Sequence, residues 1–109
     1  MDVDKRQSAR KLLRIKAVLT VNGSVRWNVR TTDIGMYGMC LNDIARALEP
    51  GQEVHVAFEM AFSGKVHNVS VNARVSHCTD TKTDGFKAGL QFIDVEPEVS
   101  VMLGQYLGV

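Results

Sequence analysis

Apolar and polar residues alternate with period two over most of the chain. From Ile15, one phase holds Ile15, Ala17, Leu19 and Val21 and the other Lys16, Val18 and Thr20, the pattern of a strand with one buried face. Asn22-Gly23 is a two-residue hairpin signal. A second strand follows, with Val25, Trp27, Val29 and Thr31 in the apolar phase, and it runs into a turn over Asp33–Gly38. Met39 and Leu41 open a short third strand. Asn42 or Asp43 then caps one helical turn over Ile44–Leu48, stopped by Pro50-Gly51. Val54, Val56, Phe58 and Met60 alternate as a fourth strand, Ser63-Gly64 turns the chain, and Val69, Val71, Ala73 and Val75 form a fifth. After a polar loop over Asp80–Gly85, Phe86, Ala88, Leu90 and Phe92 form a sixth. The period then changes. Pro97 suits a first helical position, and Val99, Met102, Leu103, Tyr106 and Leu107 make an amphipathic stripe. The pattern predicts an all-β class: six antiparallel strands in a closed barrel or sandwich, covered at one end by a helix over about residues 95–108. Residues 1–14, polar and basic, read as an N-terminal arm or short helical turn before a barrel domain over 15–109.

Composition narrows the class. A chain of 109 residues that is 45% hydrophobic and 23% charged is one globular domain. No apolar run approaches the length of a membrane span, and the charged N-terminus lacks the apolar region of a secretory signal. A cytoplasmic location and no membrane insertion are the expectations. Cys40 and Cys78 form no C-x-x-C and read as reduced thiols. Charge is uneven. Residues 1–16 hold six basic residues against Asp2 and Asp4, whereas the remainder is slightly acidic. A basic arm on an acidic body is a candidate anion site. It is not the charge pattern expected for binding a nucleic acid polymer, and aromatic residues at 6% supply few stacking platforms.

Two short motifs carry the candidate chemistry. Asp33-Ile34-Gly35-Met36-Tyr37-Gly38 combines an acid with two glycines, which free the backbone for positive φ or for close approach of a ligand. By itself it is an ordinary turn. Arg6-Gln7-Ser8-Ala9-Arg10 sets two guanidiniums four residues apart ahead of the first strand. Arg10-Lys11-Leu12-Leu13-Arg14 repeats that spacing, but Arg14 is in step with the solvent face of the first strand, so the earlier pair is preferred. Elsewhere the chemistry is bland. His55, His67 and His77 have no ligand-like spacing, no serine sits in a nucleophile motif, and Trp27 falls in the core phase. Tyr37 could line a ligand or simply cover the barrel.

The two motifs, in this order and ahead of four further strands and a helix, resemble those of the PilZ domain family, R-x-x-x-R and Asp/Asn-x-Ser-x-x-Gly. Leu48–Val54 and Ala88-Gly89-Leu90-Gln91-Phe92 also look like the family, and the resemblance covers roughly residues 5–108. It implies a six-stranded antiparallel barrel with a flexible basic N-terminal arm and a C-terminal helix. It further implies a receptor for cyclic di-GMP, with no catalytic activity and no cofactor. Arg6 and Arg10 would meet phosphate oxygens or a guanine edge with forked donors, and Lys5 would be an auxiliary phosphate contact. Asp33 would accept from guanine N1–H and N2–H₂, and Gly35 and Gly38 would let the backbone lie against the ligand. Gly35 stands where the family usually has serine, so one hydroxyl is lost. On this reading the ligand orders the arm over the barrel and alters contact with an unidentified protein partner, in a monomer or homodimer. The alternative is an interaction adaptor of the same fold whose ligand binding is lost or weakened.

Overall fold

A computed structural model describes residues 9–109. Among the described residues there are seven strands: β1 (Arg10–Leu12), β2 (Lys16–Val21), β3 (Val25–Gly35), β4 (Gly38–Ile44), β5 (Glu53–Phe62), β6 (Lys65–Asp80) and β7 (Phe86–Ile93). A helix, α1 (Pro97–Leu107), follows β7. The strands run β1-β3-β2-β5-β6-β7-β4, and β4 also pairs with β3. That last pairing closes β2–β7 into a six-stranded antiparallel barrel with β1 added on β3. Closure leaves the six strands without free edges.

The inward phase of each strand fills the barrel. Leu19, Val56, Ile34, Met39, Leu41 and Ile44 are fully buried. Both short hairpins take the turn that their sequences specify. Asn22 and Gly23 have φ of 52° and 76°, and Ser63 and Gly64 have 53° and 73°. Positive φ at both central residues matches the twist of the flanking strands. Pro97 starts α1, and Gly108 ends it in the left-handed region (φ 77°), donating its N–H to the Gln105 and Gly104 carbonyls. Met102, Leu103 and Leu107 face the barrel, and the Tyr106 ring stands edge-on to Phe62 at 5.5 Å.

Three elements differ from the sequence pattern. The basic stretch expected to be an arm through residue 14 enters the sheet at Arg10. There β1 pairs with the end of β3, Arg10 opposite Gly35 and Leu12 opposite Asp33. Leu13 is buried, Lys11 Nζ lies 5.0 Å from the centre of the Tyr106 ring, and Tyr106 donates its hydroxyl to the Leu12 carbonyl. These contacts seat a segment that has no alternation of its own. Second, the expected turn over Asp33–Gly38 shrinks to Met36 and Tyr37, because β3 continues through Gly35. Third, no helical turn forms over Ile44–Leu48. Asp43, at φ 58°, makes an irregularity between Leu41 and Ile44 that keeps Ile44 in β4, and Leu48 is buried in the core instead.

Thr31 joins β1 to β2. It is the one buried polar residue among those described. Its hydroxyl donates to the Leu13 carbonyl and accepts from the Ile15 N–H at 3.0 Å. Backbone groups in the break between the two strands are thereby satisfied.

Candidate functional site

The site grows from a bulge. Along β3 the inward phase runs through Val29 and Thr31, and strict alternation would aim Asp33 into the core. The pairing with β4 shifts between Thr31 and Asp33. That extra residue returns Asp33 to the outer face and sends Ile34 inward, where it is fully buried. Re-aiming a side chain in this way is what bulges do beside functional sites.

On the outer face Asp33 meets Arg10. Arg10 donates from Nε at 2.9 Å and from Nη2 at 2.6 Å, both to Asp33 Oδ1. The arginine and aspartate side chains are 42% and 26% exposed, so the pair is screened and contributes only about 0–1 kcal/mol to stability. Its value is positional: it holds a guanidinium fork and a carboxylate side by side. Gly35 permits the arrangement. A Cβ there would lie 3.0 Å from the Ala9 carbonyl oxygen and 3.3 Å from Arg10 Cγ, so the missing side chain is the space that β1 and Arg10 occupy. Gly38 has a different role. A Cβ on it would come within 2.2 Å of the Leu90 carbonyl oxygen. The strand next to Gly38 therefore occupies the space that a side chain there would take. Tyr37, between the glycines, is 59% exposed.

Two further residues on this surface escape sequence reasoning. Cys40 is directly opposite Asp33 in the hairpin, and Arg10 Nη2 donates to its Sγ at 3.7 Å. Burial, followed by the Asp33 carboxylate, pushes the Cys40 thiol above its ordinary value, so it sits in the site as a neutral group. A two-residue loop between Gly35 and Gly38 would have given that register. The second is His77. Cys40 pairs with Gly89, and Gly89 with His77. The pairing of β6 with β7 shifts between Val75 and His77, a second bulge that turns His77 outward. Its ring covers Gly89 so closely that a Cβ there would lie 2.2 Å from Cε1. Ser76 Oγ anchors the corner by donating to the Gly89 carbonyl at 3.0 Å. Asp33, Cys40, Gly89 and His77 thus form a row across four strands, about 14 Å at ordinary strand spacing.

Of the residues expected from sequence, Arg10, Asp33 and Gly35 come together, and Gly38 lies at the hairpin end as part of the strand packing. Lys5 and Arg6 lie outside the described residues. The histidines do not converge. His55 donates Nδ1–H to Asn72 Oδ1 and accepts from Ser70 on the outer face of β5 and β6, and His67 packs against Phe62. Among the described residues no cluster of His, Cys, Asp or Glu could hold a metal ion, and no helix is long and apolar enough to cross a membrane.

Comparison with known proteins assigns the barrel. No curated protein matches the sequence. The Bacillus subtilis inhibitor of motility, MotI/DgrA, superposes with a TM-score of 0.78 at 14% identity, over 91% of this chain and 47% of that one. The Borreliella burgdorferi PlzA protein, solved in complex with c-di-GMP, superposes with a TM-score of 0.61 at 13% identity, over 98% of this chain and 38% of that one. The chain therefore spans less than half the length of either. The PilZ domain of CeSA from a cellulose-synthesizing bacterium gives 0.60 at 12% identity, over 91% and 94%. These likenesses are of fold. The PilZ domain model matches residues 4–108, nearly the whole sequence, and the chain belongs to the PilZ domain family.

Proposed function

We propose that this protein is a cyclic di-GMP receptor without catalytic activity. The observation that carries the reading is the Arg10–Asp33 pair beside Gly35 on the outer face of a PilZ barrel. A fork of N–H donors suits a phosphodiester oxygen or a guanine O6/N7 edge, and a carboxylate suits guanine N1–H and N2–H₂. Arg10 donates from Nε and Nη2 to Asp33 Oδ1 and from Nη2 to Cys40 Sγ, and the aspartate is partly exposed. Cys40 and the His77 ring continue the surface on which a flat base would lie. The similar fold of PlzA, solved with c-di-GMP, agrees with this choice of ligand. Arg6 supplies the second guanidinium and Lys5 an auxiliary charge. Residues ahead of β1 then close over the dinucleotide, and that rearrangement alters contact with a protein partner.

A second reading has one observation in its favour. Family members usually carry serine where this chain has Gly35, and here the Ala9 carbonyl and Arg10 Cγ crowd that place. A barrel whose β1 has settled into its own ligand site would be an interaction adaptor with weak or no dinucleotide binding. Calorimetric titration with cyclic di-GMP, with GTP and cyclic di-AMP as controls, separates the two. The receptor binds the first alone at micromolar or tighter affinity, about −8 kcal/mol or better. No heat with ~100 μM protein supports the adaptor.

A further inference from the structure

The outer face of β5 and β6 carries a chain of hydrogen bonds that the Arg10–Asp33 site does not use. His55 is directly opposite Asn72, and Ser70 is opposite Ala57, one step along the same face. His55 Nδ1 lies 2.9 Å from Asn72 Oδ1, and Ser70 Oγ lies 2.6 Å from His55 Nε2. An amide oxygen only accepts, so Asn72 holds the ring proton on Nδ1 and leaves the Nε2 lone pair to the serine hydroxyl. A hydroxyl, an imidazole base and a third group that orients the base are the parts of an activated serine. No local motif announces them, because Ser70 is 15 residues from His55 and only the pairing of two strands joins them. Glu53, on the same strand as His55, faces Arg74 at 3.6 Å, so an amide and not a carboxylate orients the ring. Ser76 beside His77 shows the contrary case. Its Oγ is 3.3 Å from His77 Nδ1, but it gives its proton to the Gly89 carbonyl at 3.0 Å. Ser70 also opens onto a hollow of ≈ 640 Å³ whose wall includes Ile15, Val18, Ala57 and Phe58, room for a small apolar group.

We propose that Ser70 is an acylation site: its Oγ takes an acyl group from an activated ester, and the acyl chain lies in the adjoining hollow. His55 Nε2 removes the hydroxyl proton as Oγ attacks the carbonyl carbon. A new C–O bond forms to Ser70, and the C–O bond to the leaving group breaks. The leaving oxygen departs with that electron pair and receives the proton from His55. The products are an O-acyl serine and a free alcohol or phenol, so no further reagent is required. The ester must be activated because the imidazolium formed in the step is oriented by a neutral amide. It lacks the carboxylate that steadies it in a Ser-His-Asp triad. Asn72 is thus a positioning residue, acting through His55. The step modifies the chain once and is not turnover. It rests on the β5–β6 face alone and does not require the cyclic di-GMP reading.

The test exposes the full chain to p-nitrophenyl acetate or p-nitrophenyl hexanoate and reads the acylated positions by peptide mass spectrometry over time. Ser70 should be acylated about 100-fold faster than Ser76. The hexanoyl ester should outpace the acetyl ester at Ser70 but not at Lys87, which lies away from the hollow. His55→Gln should bring Ser70 down to the rate of Ser76. Asn72→Leu should slow it about tenfold, the loss of one hydrogen bond, and Asn72→Asp should quicken it by supplying the missing carboxylate. Both positions belong to the outward phase of their strands, so the core is untouched. Acylation of lysines and cysteines without Ser70, Ser76 reacting as fast as Ser70, or an undiminished rate at Ser70 in His55→Gln would overturn the proposal.

Discussion

The barrel has two contrasting outer faces. Over β2, β5 and β6 lies the larger hollow, ≈ 640 Å³, walled by Val18, Ala57, Glu59, Asn68 and Ser70. Over β3, β4, β7 and the end of β6 lies the surface that carries Asp33, Cys40 and His77, with Arg10 of β1 beside Asp33. On the first face the pairing of β5 with β6 runs through ten residue pairs without a shift, and its polar groups bond one another. His55 links Ser70 and Asn72, and Arg74 faces Glu53 at 3.6 Å. On the second face the ladder breaks at Thr31/Asp33 and again at Val75/His77, and each break turns a polar side chain outward. On the receptor reading, volume does not locate the ligand site. A ligand with two phosphates and two guanines needs converging forked donors and an acceptor, and those collect where the sheet is irregular.

The comparison can be broken first at Arg10. Arg10→Ala removes charge-assisted bonds of about 1.5–3 kcal/mol, so titration calorimetry should show cyclic di-GMP affinity falling tenfold or more. Melting should change little, since the ion pair is partly exposed. Val18→Ala, on the other face, should leave affinity unaltered; a loss there equal to that of Arg10→Ala would reverse the assignment of the faces. Next is Thr31→Val, which leaves the Leu13 carbonyl and the Ile15 N–H without their partner. Denaturant unfolding should show a loss of about 1–3 kcal/mol, with exchange of backbone amides in β1 accelerated more than in β5.

Gly35→Ser sharpens the account further. From sequence alone the restored hydroxyl should preserve or tighten binding. The structure points the other way, because the new Cβ must displace the Ala9 carbonyl or Arg10 Cγ. Weaker binding, by about threefold to tenfold, is expected, and tighter binding would show that β1 yields readily. The smallest effect is at Cys40. Its thiol is held protonated by burial and then by the Asp33 carboxylate. Asp33→Asn removes the second cause and lowers the thiol's pKa toward its ordinary value. Alkylation of Cys40 by iodoacetamide at mildly alkaline pH should then quicken; unchanged rates would mean that burial alone protects the thiol. A raised thiol pKa favours the fold at neutral pH, and that contribution fades as pH climbs through the folded value.

Much of this was legible in the chain. Asn22-Gly23 and Ser63-Gly64 fix two hairpins, the period of 99–107 fixes the helix, and the two motifs bring forward Arg10, Asp33 and Gly35. What was hidden has physical causes. Strand β1 is three exposed residues seated by Leu13, Tyr106 and a glycine 25 positions away from Arg10, so no local pattern announces it. His77 reaches the site only because a bulge breaks the alternation that makes strands readable at all. Its neighbour Gly89 becomes a floor only through the pairing of β6 with β7. Asn42 reads as a helix cap and Arg30 as a solvated strand position until the closing contact between β3 and β4 sets them opposite each other.

We propose that the irregular face, and not the larger hollow, receives the ligand. Amide chemical-shift mapping with cyclic di-GMP tests it most directly. The largest shifts should fall on Arg10, Asp33–Gly35, Cys40, His77 and Gly89. Shifts centred on Val18, Ala57, Glu59 and Ser70, or none at saturating dinucleotide, would contradict it.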